Sequence, residues 1–185
     1  MTITLETLLT ALTTDLDAAV RGTVPGMPRI DAVGHALVPY LGDPRLLRPD
    51  QRVGDPDRYR ANLLHVADDG AFSLVALVWL PGQATPIHDH LSWCVVGVHT
   101  GEEHETTYRL DGDRLDGDRL DGDRLVVTGE AIAGPGTVTG LLPPGDIHRV
   151  TNSAPGTAIS LHVYGLDVSR RGSSIRRCYD LPVVR

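Results

Sequence analysis

Three histidines carry the clearest chemical signal in this sequence. His88 and His90 are separated by one residue, and His148 follows about sixty residues later. Side chains alternate between the faces of a β-strand, so His88 and His90 would lie on one face. A distant strand that brings His148 beside them would complete three imidazole ligands for a metal ion. Such neutral ligands leave a divalent ion its full charge, which favours an anionic substrate such as a thiolate. Histidines that only satisfy core hydrogen bonds are the alternative, and imidazole ligands alone leave iron and zinc open.

A second polar group lies in the segment Ser160-Leu161-His162-Val163-Tyr164, which alternates polar and aliphatic residues. On a strand, Ser160, His162 and Tyr164 share one face. We expect this face to point into a polar interior, where hydroxyl, imidazole and phenol form a relay aimed at the metal. The alternative is the exposed polar face of an edge strand.

The predicted secondary structure that must position these residues changes along the chain from helices to strands. Leucines recur at helical spacing from about Thr4 to Val20, Gly22 ends the run, and a second helix is predicted from Pro28 to Leu41. From Tyr59 onward, short β-rich runs between Gly, Pro and Asp turns predict an all-β sandwich or barrel. These runs are Phe72–Leu80, Trp93–Val98, Thr106–Leu110, Leu125–Thr128, His148–Thr151 and Ala158–Tyr164. We predict one domain over residues 1–185, with a helical part over 1–55 and a barrel over 59–180.

The histidine segments also have the spacing of the two motifs of cupins. The first motif is matched by Gly82, His88, His90, Cys94 and Gly101, and the second by Pro143, Gly145, His148 and Asn152. Cupins usually place a ligand Glu where Cys94 stands. The resemblance implies a mainly β fold, a single cupin (a small β-barrel or jelly-roll), with the N-terminal helices packed outside.

A tandem repeat interrupts the β-rich part. The sequence Leu-Asp-Gly-Asp-Arg begins at Leu110, Leu115 and Leu120. Asp-Gly favours a hairpin turn, so we interpret residues 109–125 as a turn expanded into a solvated loop. A period of five cannot keep one strand face apolar, which argues against a long strand pair. A calcium-binding repeat is the alternative, with oxygens from Asp111, Asp113, Asp116, Asp118, Asp121 and Asp123.

The overall composition limits the classes of partner and the cellular locations that we expect for this protein. The formal net charge is −7, and the sequence has no basic arm or patch, which argues against nucleic acid. No apolar run reaches membrane length and the N-terminus lacks a secretory pattern. Only Cys94 and Cys178 are present, so no disulfide framework is expected and the cytoplasm is the predicted location. Nothing indicates an obligatory protein partner.

The three motifs together resemble the cysteine dioxygenase family of thiol dioxygenases. The similar segments are Ile87-His88-Asp89-His90, Gly145-Asp146-Ile147-His148-Arg149-Val150 and Ser160-Leu161-His162-Val163-Tyr164-Gly165, and the bacterial branch that includes 3-mercaptopropionate dioxygenase looks most similar. The resemblance implies one ferrous ion per chain and oxidation of a thiol to a sulfinate by dioxygen. It also implies that His88, His90 and His148 are the iron ligands, and that Ser160, His162 and Tyr164 form the family's outer-sphere triad.

One family feature concerns a cross-link. Animal members join a Cys to the triad Tyr, while the bacterial branch usually has Gly at the Cys position. Cys94 falls at that position, although its distance from His90 is one residue shorter. Cys94 and Tyr164 are therefore candidates for a thioether, and the alternative is that Cys94 is a small buried hydrophobic residue.

The substrate anchor departs from the family pattern. Members hold the substrate carboxylate with an Arg or Gln shortly after a Tyr, and aligning Tyr59-Arg60-Ala61-Asn62 places Ala61 there. Arg60 is adjacent but would face the other way on a strand. A C-terminal Arg serves in some members, which makes Arg176 and Arg177 candidates, although the stretch Val168–Ser174 is longer than the pattern predicts.

These observations predict an iron-dependent thiol dioxygenase that acts on a small thiol such as cysteine or 3-mercaptopropionate. Another three-histidine cupin enzyme with a non-thiol substrate is one alternative. A non-catalytic cupin that binds a metal or ligand is another. The Ser160–His162–Tyr164 triad favours catalysis, because storage needs no relay.

Overall fold

Two helices come first in the computed structural model, which describes residues 4–111, 114–116, 119–121 and 124–185. Helix α1 spans Leu5–Arg21 and α2 spans Met27–Leu37. The Thr4 side chain caps α1 by accepting a hydrogen bond from the Thr7 amide, and Gly22 ends it. Both helices are confirmed where the sequence predicted them, although the second ends earlier and continues as a 3₁₀ turn over Val38–Tyr40. Among the helices of these ranges, none has the length and apolar character needed to cross a membrane.

The rest of the described chain is mainly strands, with a 3₁₀ turn at Pro49–Arg52 and a short helix α3 at Val168–Arg171. The strands are β1 (Arg60–Val66), β2 (Ser73–Trp79), β3 (His88–His90), β4 (Cys94–Thr100), β5 (Glu103–Asp111), β6 (Arg114–Asp116), β7 (Arg119–Asp121), β8 (Arg124–Ala133), β9 (Val138–Leu141), β10 (His148–Thr151), β11 (Ala158–Tyr164), β12 (Ile175–Cys178) and β13 (Val183–Val184). Each predicted β-rich run overlaps one of these strands, although Phe72, Leu80 and Trp93 lie just outside them. The mainly β fold class is confirmed.

Two sheets enclose the interior. The first has the order β1-β2-β11-β4-β9 and the second has the order β12-β3-β10-β5-β8-β13. Val75 and Leu77 of β2 pack toward the second sheet, in a cluster that includes Val150 of β10. The alternate residues of the same strand, such as Leu74 and Ala76, pack with the helices. Because β2 is buried on both faces, its sequence is a continuous apolar run rather than an alternating one.

The helices cover the outer face of the first sheet. Leu12 and Leu16 of α1 and Val33 and Leu37 of α2 are fully buried in the same core cluster as the outward side chains of that sheet. This arrangement confirms that the N-terminal helices pack outside. Between the two sheets, buried polar side chains from β3, β5, β10 and β11 lie together with the apolar cluster that contains Val75, Leu77 and Val150.

The repeat forms paired strands, which corrects the prediction of a loop over residues 109–125. β5 and β8 pair as far as Asp111 with Arg124, and β6 and β7 continue the same register. Folding the repeat back on itself places Leu opposite Leu and Asp opposite Arg, so a period of five still gives favourable cross-strand pairs. These pairs are Leu110–Leu125, Asp111–Arg124, Arg114–Asp121, Leu115–Leu120 and Asp116–Arg119.

The alternative of a calcium-binding repeat concerns residues that the structure describes only in part. Asp113, Asp118 and Asp123 lie outside the described residues, as do the side chains of Asp116 and Asp121. Asp111, the remaining member, accepts a hydrogen bond of 2.6 Å from Arg124 Nε. Its carboxylate is therefore already engaged by a cation.

A candidate metal centre with a buried relay

The three predicted histidines converge at the centre of the second sheet. His88 and His90 lie on β3, and His148 on β10 is the register partner of His88. Their exposed fractions are 4%, 3% and 2%. One nitrogen from each ring lies within 4.8 Å of the others, and among the described residues this is the only such group of His, Cys, Asp or Glu. The predicted set of ligands is therefore brought together by the fold.

Each ring is held through its Nδ1 atom, which leaves Nε2 directed at the shared centre. The Nδ1 partners are Pro86 O at 3.0 Å from His88, Asp146 Oδ2 at 2.9 Å from His90, and Glu105 Oε1 at 2.6 Å from His148. An N–H that donates from Nδ1 fixes the tautomer in which Nε2 carries a lone pair, and the ring of a metal-bound histidine is oriented by the same kind of hydrogen bond.

The facing Nε2 atoms fit a bound cation. His88 Nε2 and His90 Nε2 are 3.2 Å apart, and the buried His148 Nε2 has no hydrogen-bond partner within the described chain. Burial, reinforced by His148 and His90, lowers the pKa of His88 to about 3. The His88 ring therefore stays neutral at physiological pH, which is the form that binds a metal ion.

The second predicted group forms a hydrogen-bonded chain beside this centre. On β11, Ser160 Oγ is 2.8 Å from His162 Nε2, and His162 Nδ1 is 3.1 Å from the Tyr164 hydroxyl. β11 lies between β2 and β4, and all three side chains are buried. The exposed edge-strand alternative is therefore wrong, and the polar interior is confirmed.

Burial keeps the relay uncharged at neutral pH. It lowers the pKa of His162 to about 3, with smaller contributions from the three histidines of the centre. It also raises the pKa of Tyr164 well above its ordinary value. The relay can therefore orient or pass a proton between neutral groups without holding a charge at rest.

The sequence reasoning missed Glu103, which extends this relay. Glu103 on β5 is 3% exposed. Burial raises its pKa to about 7, although hydrogen bonds with Ser160 and Trp79 act to lower it. Trp79 Nε1 also donates to Ser160 Oγ at 3.1 Å. Glu103 and Glu105 are separated by one residue and therefore share one strand face, as His88 and His90 do. That spacing is the signal that could have revealed both glutamates.

A small cavity with a volume of about 20 Å³ is lined by both Glu103 and Glu105. Such a volume admits roughly one water molecule. Glu103 Oε1 is buried and makes no hydrogen bond within the described chain.

A larger pocket opens in front of the three histidines, with a volume of about 310 Å³. Its walls come from both sheets and from the segment around α3. The lining residues are Tyr59, Ala61, Leu63, Val75, Leu77, Trp79, Thr85, His88, His90, His148, Val150, His162, Tyr164, Val168, Ser169, Gly172, Ser173, Ser174 and Ile175. His162 and Tyr164 of the relay thus face the same space as the candidate ligands.

The candidate carboxylate anchors do not line this pocket. Arg60 is exposed, and its guanidinium lies 3.4 Å from Val53 O. Arg176 binds the buried Asp89, with Nε at 3.2 Å and Nη2 at 3.1 Å from Oδ2. Arg177 lies over the ring of Tyr179, 5.2 Å from its centroid. The structure therefore brings together the metal ligands and the relay but leaves these arginines outside the pocket.

Cys94 lies next to Tyr164 in the first sheet. The two residues are register partners on β4 and β11, and both belong to the buried cluster between the sheets. Burial raises the pKa of the Cys94 thiol well above its ordinary value. The adjacency that a thioether needs is present, and its formation stays a prediction.

Comparison with known proteins agrees with this description. The sequence model of the family described as cysteine dioxygenase type I matches residues 40–170, which is most of the chain. A Cupin 2 conserved barrel domain protein from Salinispora arenicola is 22% identical, over 64% of this chain and 86% of that one, with a TM-score of 0.44. A cupin superfamily protein from Desulfitobacterium hafniense is 14% identical, over 69% and 95%, with a TM-score of 0.45. These two structural similarities are too low to support an argument of their own.

Proposed function

Because the chain belongs to the cysteine dioxygenase type I family, we propose that it is an iron-dependent thiol dioxygenase. The reaction adds both atoms of dioxygen to the sulfur of a thiol and gives a sulfinic acid, with no other reductant or oxidant. The observation that carries the proposal is the position of the three-histidine centre and the Ser160–His162–Tyr164 relay around one pocket. The relationship to the 3-mercaptopropionate branch and the cytoplasmic location stay predictions.

His88, His90 and His148 would hold one ferrous ion through their Nε2 atoms. A bound ferrous ion supplies a positive charge that favours the thiolate form of the substrate and the redox chemistry with dioxygen. Asp146 and Glu105 would keep two of the rings oriented and increase their basicity as ligands. The apolar walls of the pocket would exclude water from the reacting atoms.

Tyr164 is placed to act on the substrate, because its ring lines the pocket and its hydroxyl contacts His162. With Glu103 protonated, hydrogen bonds can run from Glu103 to Ser160, then to His162, and then to the Tyr164 oxygen. The Tyr164 proton is then free to be donated into the pocket, toward negative charge that develops during oxidation. Ionised Glu103 accepts from Ser160 and reverses this order, so Tyr164 would donate to His162 instead.

The relay supports an enzyme rather than a protein that only binds a metal. A storage or sensor site needs no chain of buried donors and acceptors, and burying polar groups costs free energy unless they are paired. Here Ser160, His162 and Tyr164 form one hydrogen-bonded chain, and His162 and Tyr164 line the pocket.

Oxygen consumption and product analysis test the proposal. The protein is loaded with ferrous iron without oxygen, mixed with a panel of thiols, and exposed to dioxygen in an electrode cell. We expect one dioxygen consumed for each sulfinate formed, with both oxygen atoms derived from labelled dioxygen in the mass spectrum. Tyr164→Phe should keep the iron and lose much of the rate. A disulfide product, or no oxygen uptake by fully iron-loaded protein, would contradict the proposal.

A further inference from the structure

The pocket in front of the three histidines has no Arg, Lys, Asp or Glu among its described lining residues. From this we infer that the substrate is an uncharged thiol that carries an apolar group. The inference rests on the proposed function and narrows it to a class of substrate. It goes against the carboxylate-bearing thiols that the sequence resemblance implies.

No cation is placed to receive a substrate carboxylate within the described part of the pocket. At the position of the expected anchor, Ala61 contributes only a methyl group to the lining. Its neighbour Arg60 is an exposed residue directed toward Val53 O. Side chains of adjacent strand residues point to opposite faces, so Arg60 cannot turn into the pocket while β1 stays paired with β2.

The C-terminal arginines are engaged outside the pocket. Arg176 forms an ion pair with Asp89, which is 1% exposed and lies between the two histidines of β3. Tyr179 donates a second hydrogen bond to the same carboxylate oxygen, at 3.0 Å. Moving Arg176 into the pocket would leave the buried Asp89 charge without its cation, which is costly.

The charge around the centre also disfavours a further anion. The carboxyl groups of Asp146 and Glu105 accept hydrogen bonds from Nδ1 of His90 and His148, so these neighbours of the centre are acceptors rather than cations. A substrate thiolate brings one negative charge to the centre. A substrate carboxylate would add another in a space with no cation to pair it, and burying an unpaired charge is strongly unfavourable.

The walls fit an apolar group larger than the side chain of cysteine. The volume of about 310 Å³ lies at the lower end of the roughly 300–1,000 Å³ typical of pockets for drug-sized ligands. Most of the wall surface is apolar, and Leu63, at one side, is 46% exposed. The aliphatic lining residues are Ala61, Leu63, Val75, Leu77, Val150, Val168 and Ile175.

Uncharged hydroxyl groups complete the lining. Ser169, Ser173 and Ser174 come from the segment that is longer than the family pattern predicts, and all three line the pocket. Ser169 and Ser173 are exposed and Ser174 is buried. Hydroxyl groups can pair with a neutral amide, ester or hydroxyl group but do not neutralise a carboxylate. This segment therefore supports the same class of substrate.

Three thiols of nearly equal size separate the alternatives. They are 3-mercaptopropionamide, which is neutral, 3-mercaptopropionate, which is an anion, and 3-aminopropane-1-thiol, which is a cation. Binding to the iron-loaded protein is measured without oxygen by calorimetry, and kcat/KM is then measured by oxygen uptake. We expect the amide to exceed both charged thiols by roughly tenfold or more in each measurement, and benzyl thiol to bind at least as tightly as the amide. An anion or a cation that equals or exceeds the amide would overturn the inference.

Two variants give a matched comparison. Ala61→Arg places a guanidinium at the pocket wall and should raise the affinity for 3-mercaptopropionate relative to the amide by roughly tenfold. Arg60→Ala should leave the order of the three thiols unchanged, because Arg60 faces away. Loss of 3-mercaptopropionate binding in Arg60→Ala would show that this arginine does hold a carboxylate, and would also overturn the inference.

The two proposals fail in different ways. Preferential binding of the neutral thiol without any sulfinate would contradict the dioxygenase and leave the preference for a neutral ligand standing. Fastest sulfinate formation from 3-mercaptopropionate or cysteine would contradict only the uncharged substrate. Failure of every thiol to bind iron-loaded protein would contradict both.

Discussion

We expect the stability of the Glu103→Gln variant, measured relative to the unmodified protein, to increase as the pH rises. Burial raises the pKa of Glu103 from 4.5 to about 7. One pKa unit corresponds to about 1.4 kcal/mol, so the raised pKa corresponds to about 3 kcal/mol. Glu103 is almost fully buried, so solvent screening reduces this value little.

The direction of this pH dependence follows from the number of protons bound in the folded and in the unfolded state. The unfolded chain releases the Glu103 proton near pH 4.5, whereas the folded protein keeps it until about pH 7. Between these pH values the unfolded state binds fewer protons, so this group lowers the free energy of unfolding as pH rises. The stabilising contribution is present in full below pH 4.5 and is lost above pH 7.

Glu103→Gln removes this ionisation and keeps a side chain that can hydrogen bond Ser160. The stability of the variant minus that of the unmodified protein should therefore rise by about 2 to 3 kcal/mol between pH 5 and pH 8. His88 and His162, whose pKa values are lowered to about 3, add a stability change of opposite sign. They do so in both proteins, so their effect cancels in the difference.

Urea unfolding at several pH values, with equal metal content in both proteins, gives the measurement. Glu102→Gln is the matched control, since it removes the same charge at the neighbouring position where the side chain is only half-buried. The control replaces no buried carboxyl group, so its difference from the unmodified protein should vary less from pH 5 to pH 8 than that of Glu103→Gln. An equally small variation for Glu103→Gln would refute the reasoning, because it would mean that Glu103 ionises in the folded protein as it does in the unfolded chain.

Three further predictions concern the centre, the repeat and Cys94. His148→Ala should lower iron affinity by roughly tenfold or more, measured as iron bound per chain, and full iron occupancy would contradict the ligand set. Deletion of residues 115–124 should change stability by less than about 1 kcal/mol, because Leu110 and Leu125 still pair; a collapse in melting temperature would assign the repeat to the core. If the thioether forms during aerobic turnover, intact mass should fall by one hydrogen molecule and a peptide should join Cys94 to Tyr164, whereas a Cys94 that is fully alkylated after unfolding would contradict it.

The metal centre could be predicted from sequence because its information is local and periodic. His88 and His90 need only a strand to share a face, and the same holds for Ser160, His162 and Tyr164. The helices were predictable for a similar reason, since their apolar spacing and the residues that cap them lie within a few residues of each other. The repeat was predicted wrongly because its regularity lies across a hairpin, between Leu110 and Leu125, rather than along one strand.

What the sequence by itself determined was therefore the identity of the ligands and of the relay. Only the tertiary structure decided what surrounds them. Glu103 and Ser160 are far apart in the chain, and their contact depends on the packing of one sheet against the other. The absence of a charged anchor from the described lining is likewise a property of the folded pocket. Arg60 and Arg176 are the chain neighbours of the lining residues Ala61 and Ile175, but their side chains bind elsewhere. Strand alternation fixes which residues share a face, but burial and long-range pairing fix which charges meet.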